Sequence, residues 1–529
     1  MAQRNNKYDR QLRIWGEHGQ TALERARVCV LNCGPTGSEA LKNLVLGGIG
    51  SFTIVDASEV SVSDLGNNYL VDWESMGQSK AKSVCALLQE LNESVVAKFV
   101  EESPEALLKS NPTFFAQFTL VIATQMTETH LLKLEEICRQ HNVMLVIARS
   151  YGLAGLVRIS VREHVIIESK PDNRVEDLRL HIPWPELQSY VDEFDIDTPD
   201  NNIHKHIPFA ILLIKIAEDW KKAHGGKLPA NVRLFKEAIT ARRRVVEEED
   251  NYTEALKSAY IMLFPPGISS QLRAVLEDKA AEVEASSSDF WIMVAALKQF
   301  MANEGQGEPP LDGAIPDMHS FTDYYIKLQK IYQARAEADV TAVEGYVARI
   351  LKRIGRDSSP IPRSTIKLFC KNSRNLRVLR CKMLSDEYSS RSGSELQRLL
   401  AAEESRFFFE QFLCSHPALY ILLRAVDHFA ATYNRFPGAF DGEIEEDVSR
   451  LKSLAVGLLN DMGGGGASLP EDVVSEVCRF GASEIHCVAS IVGGIASQEC
   501  IKLLTRQFTP IQGTLIYNAM SATSLVLNV

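Results

Sequence analysis

The chain has 529 residues, more than one hydrophobic core accommodates, so two or three domains are expected. A formal net charge of -11 and a pI near 5.7 argue against a nucleic-acid or anionic-membrane partner. The hydrophobic fraction of 45% is that of a globular protein, no apolar run of the ~18 residues a membrane span needs is evident, and the opening MAQRNNKYDR has no apolar signal core, which points away from secretion. Ten cysteines without a C-x-x-C pair fit reduced thiols in the cytoplasm or nucleus and offer no zinc site.

The first patterned segment is KYDRQLRIWG, in which Arg10 by itself reads as a surface arginine beside Asp9. From Val28 the order becomes strand, glycine turn, helix, strand, acid. Val28, Val30 and Leu31 make a short buried strand, Gly34 and Gly37 open a turn, and Ala40, Leu41, Leu44 and Val45 recur at helical spacing before Gly47 and Gly48. Phe52, Ile54 and Val55 form the next strand. It ends at Asp56, nineteen positions past Gly37, about where a dinucleotide or ATP fold places its ribose carboxylate. Two departures weaken the phosphate chemistry. Asn32 stands where the first glycine of G-x-G-x-x-G should be, and Pro35 removes an N–H from the cradle.

The alternation continues with an amphipathic helix over 79–91, strands over 95–100 and 119–123, a helix over 127–141, a strand from 143 and another over 156–161. Such order means α/β architecture, a Rossmann-like parallel sheet covered by helices on both faces. Between 163 and 480 the texture changes to long amphipathic helices at 208–225, 252–264, 289–303, 320–354 and 403–436. Loops there are marked by Pro265, Pro266 and Gly267, by EGQGEPP from Glu304 and by the glycines at 463–466. The arginines from Arg242 and the acids from Glu247 read as a solvated helix face. Near the end, 482–504 is a small-residue helix in which Gly493 and Gly494 suit close packing, His486 is a packing residue, and the strand-like TLIYN and SLVLNV follow. The expected division is a discontinuous α/β domain from 1–165 and 481–529, interrupted by a mainly helical insertion over 166–480.

The run from Leu31 to Leu70 resembles the ThiF/MoeB-type adenylation domain of the ubiquitin-like-modifier activating enzymes, whose pattern is V-x-A-G-G-L-G-x-E, a long helix, then V-D-x-D-x-V-x-x-S-N-L-N-R-Q-F-L. The likeness extends from KYDRQLRIWG to the final segment and is strongest to the regulatory, neddylation-type branch of that family. Carried over position by position, it implies a disabled nucleotide site. Asp56 keeps the ribose role, but Ser58 replaces the second aspartate, and Asp64, Gly66 and Asn67 replace the asparagine, asparagine and arginine of N-L-N-R-Q, leaving Asn68 as the amide matching its glutamine. The aspartate expected to help hold Mg²⁺ should fall near 125–127, where Gln125, Met126 and Thr127 stand. Lys80, in GQSKA, matches the family's catalytic lysine, although by itself it reads as a solvated residue in a first helical turn.

The same resemblance gives Arg10 a role in trans, because the family's Y-x-R-Q arginine reaches the γ-phosphate in the partner's site. It makes 166–480 the counterpart of the catalytic-cysteine domain, yet no cysteine has the family's context. Cys370 and Cys381 precede lysines, Cys478 precedes an arginine, and Cys414, before Ser415 and His416, reads as an inert cysteine. EGQGEPPLDGAIPDM and YYIKLQ match a partner-binding segment, which assigns Ile315, Met318, Tyr325, Ile326 and Leu328 to that contact. PDNRVEDLRL, from Pro171, marks the exit from the sheet.

The resemblance therefore implies a non-catalytic subunit that binds no cofactor or metal itself. Its heterodimeric partner, the catalytic subunit, would carry ATP, Mg²⁺ and the reactive cysteine, adenylate a Nedd/Rub-type modifier and hand it to a conjugating enzyme serving cullin ligases. Two other readings remain open on the residues. A nicotinamide-dependent dehydrogenase would use the same Gly34, Gly37 and Asp56, and a self-sufficient activating enzyme would bind ATP in this chain.

Overall fold

The computed structural model describes residues 7–172, 177–356, 360–388, 398, 415–462 and 469–528. The glycines at 463–466, residues 403–414 of the last expected helix and part of PDNRVEDLRL lie outside them.

Contacts divide the chain into two units, one made of residues up to Ile166 and from Val378 onward, the other of Ile167–Arg377. The first is built on an eight-stranded sheet. Strands β1 (Arg27–Leu31), β2 (Ser51–Val55), β3 (Val96–Val100), β4 (Leu120–Thr124) and β5 (Met144–Tyr151) are parallel in the order β3-β2-β1-β4-β5. Strands β6 (Ala154–Ser160), β7 (Thr514–Asn518) and β8 (Thr523–Leu527) extend the sheet antiparallel beyond β5. Strand order reverses between β1 and β4, so a crevice opens at their carboxyl ends, where doubly wound sheets place their ligands.

The helices of this unit are α1 (Asp9–Glu24), α2 (Pro35–Gly47), α3 (Lys80–Leu91), α4 (Glu128–Gln140), α5 (His416–Tyr433) and α6 (His486–Thr505), besides shorter ones. Because successive strand residues face opposite ways, each strand serves two cores. Val28, Val30, Ile54, Leu120 and Ile122 pack with Leu41 and Leu44 of α2, Val84 and Leu88 of α3, and Val488, Val492 and Ala496 of α6. Cys29, Leu31, Val55, Val121 and Ala123 face Leu131, Leu134 and Cys138 of α4. Both faces are covered, which is why β1 and β4 are continuous apolar runs.

Residues 378–480 are grouped differently from the expected 166–480 insertion. Helix α5 lays Leu419, Leu422, Val426 and Phe429 into a core with Tyr151, Ala154, Ile516 and Leu527 of the sheet, and Leu451, Ala455 and Val474 complete it. Helical texture shows that such segments are amphipathic but not which core their apolar stripe faces. The second unit is helical, built from Phe209–Ala223, Val232–Arg242, Asp250–Leu263, Asp289–Ala302 and the 32-residue Thr322–Arg353, with its own core.

That core takes up part of the segment assigned to partner binding. Leu328 is 0% and Met318 9% exposed inside it, so these two side chains are committed to the chain's own packing, while Ile315 and Tyr325 pack against it half-buried and Ile326 is 40% exposed. By composition alone α6 is long and apolar enough to cross a membrane, unlike the expectation that no such run exists. More than half of that window is buried in the fold, as in the core helix of a globular domain, and its small residues let it approach α2. A Cβ on Gly493 would lie 2.8 Å from the Glu39 Cβ and 2.9 Å from the Ala40 nitrogen, whereas one on Gly494 would meet nothing within 4 Å.

Two substitution pairs test this packing. Gly493→Val should destabilise the full chain by about 1–3 kcal/mol or more through overpacking, with Gly494→Ala neutral or stabilising in urea unfolding. Leu328→Ala should cost about 2–5 kcal/mol. Ile326→Ser should stay within about 0.5 kcal/mol, as surface changes do.

Candidate functional site

The crevice is lined by the turn after β1, the loop after β2, the start of α3, the end of β4 and the segment entering α6. Asn32 takes φ +63, a left-handed conformation that asparagine tolerates better than most residues, so the turn survives without its first glycine. Its side chain donates to the Thr124 carbonyl at 2.8 Å and its own carbonyl accepts from the Thr124 hydroxyl at 2.7 Å. Gly37 has to be glycine, since a Cβ there would lie 2.3 Å from the Asn32 oxygen. Gly34 caps α2, and Pro35 occupies the first turn, where a missing N–H leaves no intrahelical bond unmade.

Asp56 is buried and both of its oxygens are engaged by the chain. Oδ2 accepts from the Cys33 N–H at 2.9 Å, and Oδ1 accepts from the Ser58 N–H at 2.8 Å and its hydroxyl at 2.5 Å. The serine that replaces the family's second aspartate is therefore a donor to the first. Asn68, also buried, donates to the Cys33 carbonyl at 3.0 Å and accepts from the Leu70 N–H at 3.1 Å.

Lys80 is not the solvated residue its helical position suggests. Its ammonium sits 2.8 Å from Asp64 Oδ1, and both side chains are largely buried. Burial pushes the Asp64 carboxyl up, but hydrogen bonds from Lys80 and Ser61 outweigh it and hold the group below the usual carboxylate range. Gln125 has φ +52 and donates to the Ser150 carbonyl at 2.7 Å. The nearest acid after β4, Glu128, lies 3.2 Å from Arg424 and 3.4 Å from His428, so it is already paired.

The residue that sequence reasoning missed is Glu484. Its carboxylate lies on the amino end of α2, where Oε2 accepts from the Thr36 N–H at 3.1 Å and the Thr36 hydroxyl at 2.6 Å, with the Ser150 hydroxyl at 3.4 Å. A Cβ on Gly34 would come within 2.5 Å of Oε1. Asn67, at the position of the family's arginine, donates to the Glu484 carbonyl at 3.1 Å, and its own carbonyl lies 2.7 Å from His486 Nδ1. His486 is thus a clamp on this segment as well as a packing residue. A carboxylate on a helix amino end gains about 0.3–1 kcal/mol from the helix dipole, up to ~2 when partly buried. The one available signal was an acid just before the helix that returns to the sheet.

Elsewhere, Arg10 in the first turn of α1 has a side chain 84% exposed, with its Nε 3.9 Å from Asp9. Among the described residues every cysteine is a free thiol. Burial pushes Cys370 up to about 12, Cys478 up to about 11 and Cys381 upward too, the opposite of what a thiolate nucleophile needs. Cys414 lies outside the described residues.

This sheet order and crevice define the ThiF class of adenylation fold, and the ThiF family matches residues 8–528. The chain is 56% identical to "NEDD8-activating enzyme E1 regulatory subunit AXR1" of Arabidopsis thaliana, covering 100% of this chain and 97% of that one. It is 54% identical to the AXL regulatory subunit of the same plant and 42% to the Xenopus laevis regulatory subunit, each over 98% of both chains. The chain therefore belongs to the ThiF family and, within it, to the NEDD8-activating enzyme E1 regulatory subunits. The dehydrogenase and self-sufficient readings find no support among these relatives.

The Lys80–Asp64 pair carries a pH signature. Because the folded carboxyl titrates below its ordinary value of 3.8, its contribution is fully present above that value and is lost as pH falls through the lower, folded value. Lys80→Met should cost on the order of 1–3 kcal/mol at pH 7 by stranding a buried charge. The acid limb of its urea-stability profile should be flatter than wild type below about pH 4. A parallel profile would show that the pair does not couple.

Proposed function

We propose that this chain is the non-catalytic half of a two-chain activating enzyme, with ATP, Mg²⁺ and the reacting cysteine all in the partner. The observation that carries this reading is that the nucleotide-handling groups kept from the family pattern, Asp56 and Lys80, are each engaged by neighbours in this chain, while the phosphate-facing turn holds Glu484. Burial of Cys370 and Cys478 and the raised thiol of the partly buried Cys381 support placing the thioester elsewhere.

In the partner, a carboxylate oxygen at the carboxyl terminus of a NEDD8-type modifier attacks the α-phosphorus of ATP and pyrophosphate leaves. A thiolate then displaces AMP to form the thioester, which a conjugating enzyme takes over. This chain contributes the pairing surface and Arg10, whose exposed guanidinium is free to reach a phosphate across the interface. A permanently charged fork suits developing phosphate charge, and held geometry alone can remove several kcal/mol of barrier, of order ~7–11 in favourable cases.

ATP–pyrophosphate exchange with the chain alone, the partner alone and both together tests the assignment. Exchange should need the partner, and adenylate made by this chain alone would refute it. In the assembled complex Arg10→Ala should slow adenylation by roughly 10²–10³, the cost of removing one preorganised charge-stabilising group, with co-elution of the two chains unchanged. Normal rates in that variant would remove Arg10 from the mechanism.

A further inference from the structure

The glycine turn after β1 has kept its shape, and the amino end of α2 still presents the buried Thr36 N–H and hydroxyl to the crevice. Such a helix end is an anion site, because its first N–H groups lack intrahelical partners and the helix dipole favours negative charge. Here the anion comes from the chain itself. We propose that Glu484 is a built-in substitute for a nucleotide phosphate, held in the cradle by Asn67 and His486, and that it keeps this chain closed to phosphate ligands.

Three independent placements carry the inference. The carboxylate meets the Thr36 donors that a phosphate oxygen would use, at 3.1 and 2.6 Å. Its Oε1 lies against Gly34, in the space left by the missing Cβ and by the close backbone approach that glycine turns provide for phosphates. The backbone beneath it is pinned by Asn67, which stands where the family pattern has an arginine, and the Asn67 carbonyl is held in turn by His486. An arginine at that position would bring a second positive group to the cradle and favour a more highly charged anion than one carboxylate; the asparagine amide instead bonds the peptide that carries Glu484. The substitution therefore removes a charge and installs a tether together.

This inference rests on the reading that the chain does not process ATP, and it adds the device that prevents it. The test uses the full chain, with tripolyphosphate as the probe and sodium chloride at matched ionic strength as the control. Wild type should show no saturable rise in melting temperature with tripolyphosphate. Glu484→Ala should melt lower and recover part of the loss as tripolyphosphate is added, and Glu484→Gln, which keeps the shape and loses the charge, should show a smaller recovery. Saturable stabilisation of wild type, or no anion-dependent recovery in either folded variant, overturns the proposal. Should both variants fail to fold, wild type decides alone by equilibrium dialysis against tripolyphosphate, where binding refutes the plug and exclusion supports it. The outcomes separate from those of the functional reading: adenylate made by wild type defeats that reading, whereas absent exchange with absent anion recovery defeats only the plug.

Discussion

Helix α6 can lie on α2 only as closely as Gly493 allows, and that approach organises the crevice. Any side chain at this position would push into the Glu39 and Ala40 backbone region, so the two helices meet at a separation set by a missing Cβ. The residues that lead into α6 are thereby delivered to the amino end of α2, where Glu484 and His486 make their bonds. A contact between elements some 450 residues apart in the chain thus decides what the glycine turn touches. The geometry of a nucleotide fold is retained because it is also the geometry that buries the sheet.

Most of the polar groups left in that crevice are satisfied by neighbours in the chain, the Asn67 Oδ1 being an exception. Asp56 takes donors from Cys33 and Ser58, Lys80 takes Asp64, and the helix end takes Glu484. Buried donors and charges without partners cost about 1–3 kcal/mol or more each, so a site that gives up its ligand has to supply replacements. Ser58, Asp64 and Asn67 are such replacements, each at a position where the family pattern has another residue. A tethered carboxylate also has an advantage over a free anion, since association from solution forfeits an estimated 4–15 kcal/mol of translational and rotational freedom. The substitutions are better described as a conversion of the site than as its decay.

Much of this architecture was legible in the residues. The central strands of the parallel sheet are short apolar runs, β1 and β2 being set off by glycines, and the helices between them carry period-3.6 stripes, so the order of elements could be read almost directly. The match of the turn, acid and lysine to a known pattern named the crevice. What could not be read were relations between distant segments. Glu484 is one acid among 68 Asp and Glu residues until the fold puts it beside Thr36. Lys80 looks solvated until Asp64 is found against it. The apolar residues at Met318 and Leu328 satisfy a partner surface and an internal core equally well as a pattern, and only packing distinguishes the two. For the same reason helix α5 could not be assigned to the sheet rather than to the helical unit.

The sheet is assembled from segments far apart in the chain, and this shapes how the molecule is made. Strand β6 ends at Ser160 and its neighbour β7 begins at Thr514, so about 350 residues are synthesised before β6 gains that hydrogen-bonded flank. At ordinary elongation rates of ~5–20 residues per second the ribosome takes roughly 20–70 s over that interval. During that time one margin of the nascent sheet is unpaired and the side awaiting α6 is uncovered, while the intervening helical unit can already condense. Until Thr514–Asn518 arrives, the early sheet exposes an unpaired strand edge and an uncovered apolar face, the features that make a nascent chain prone to aggregate.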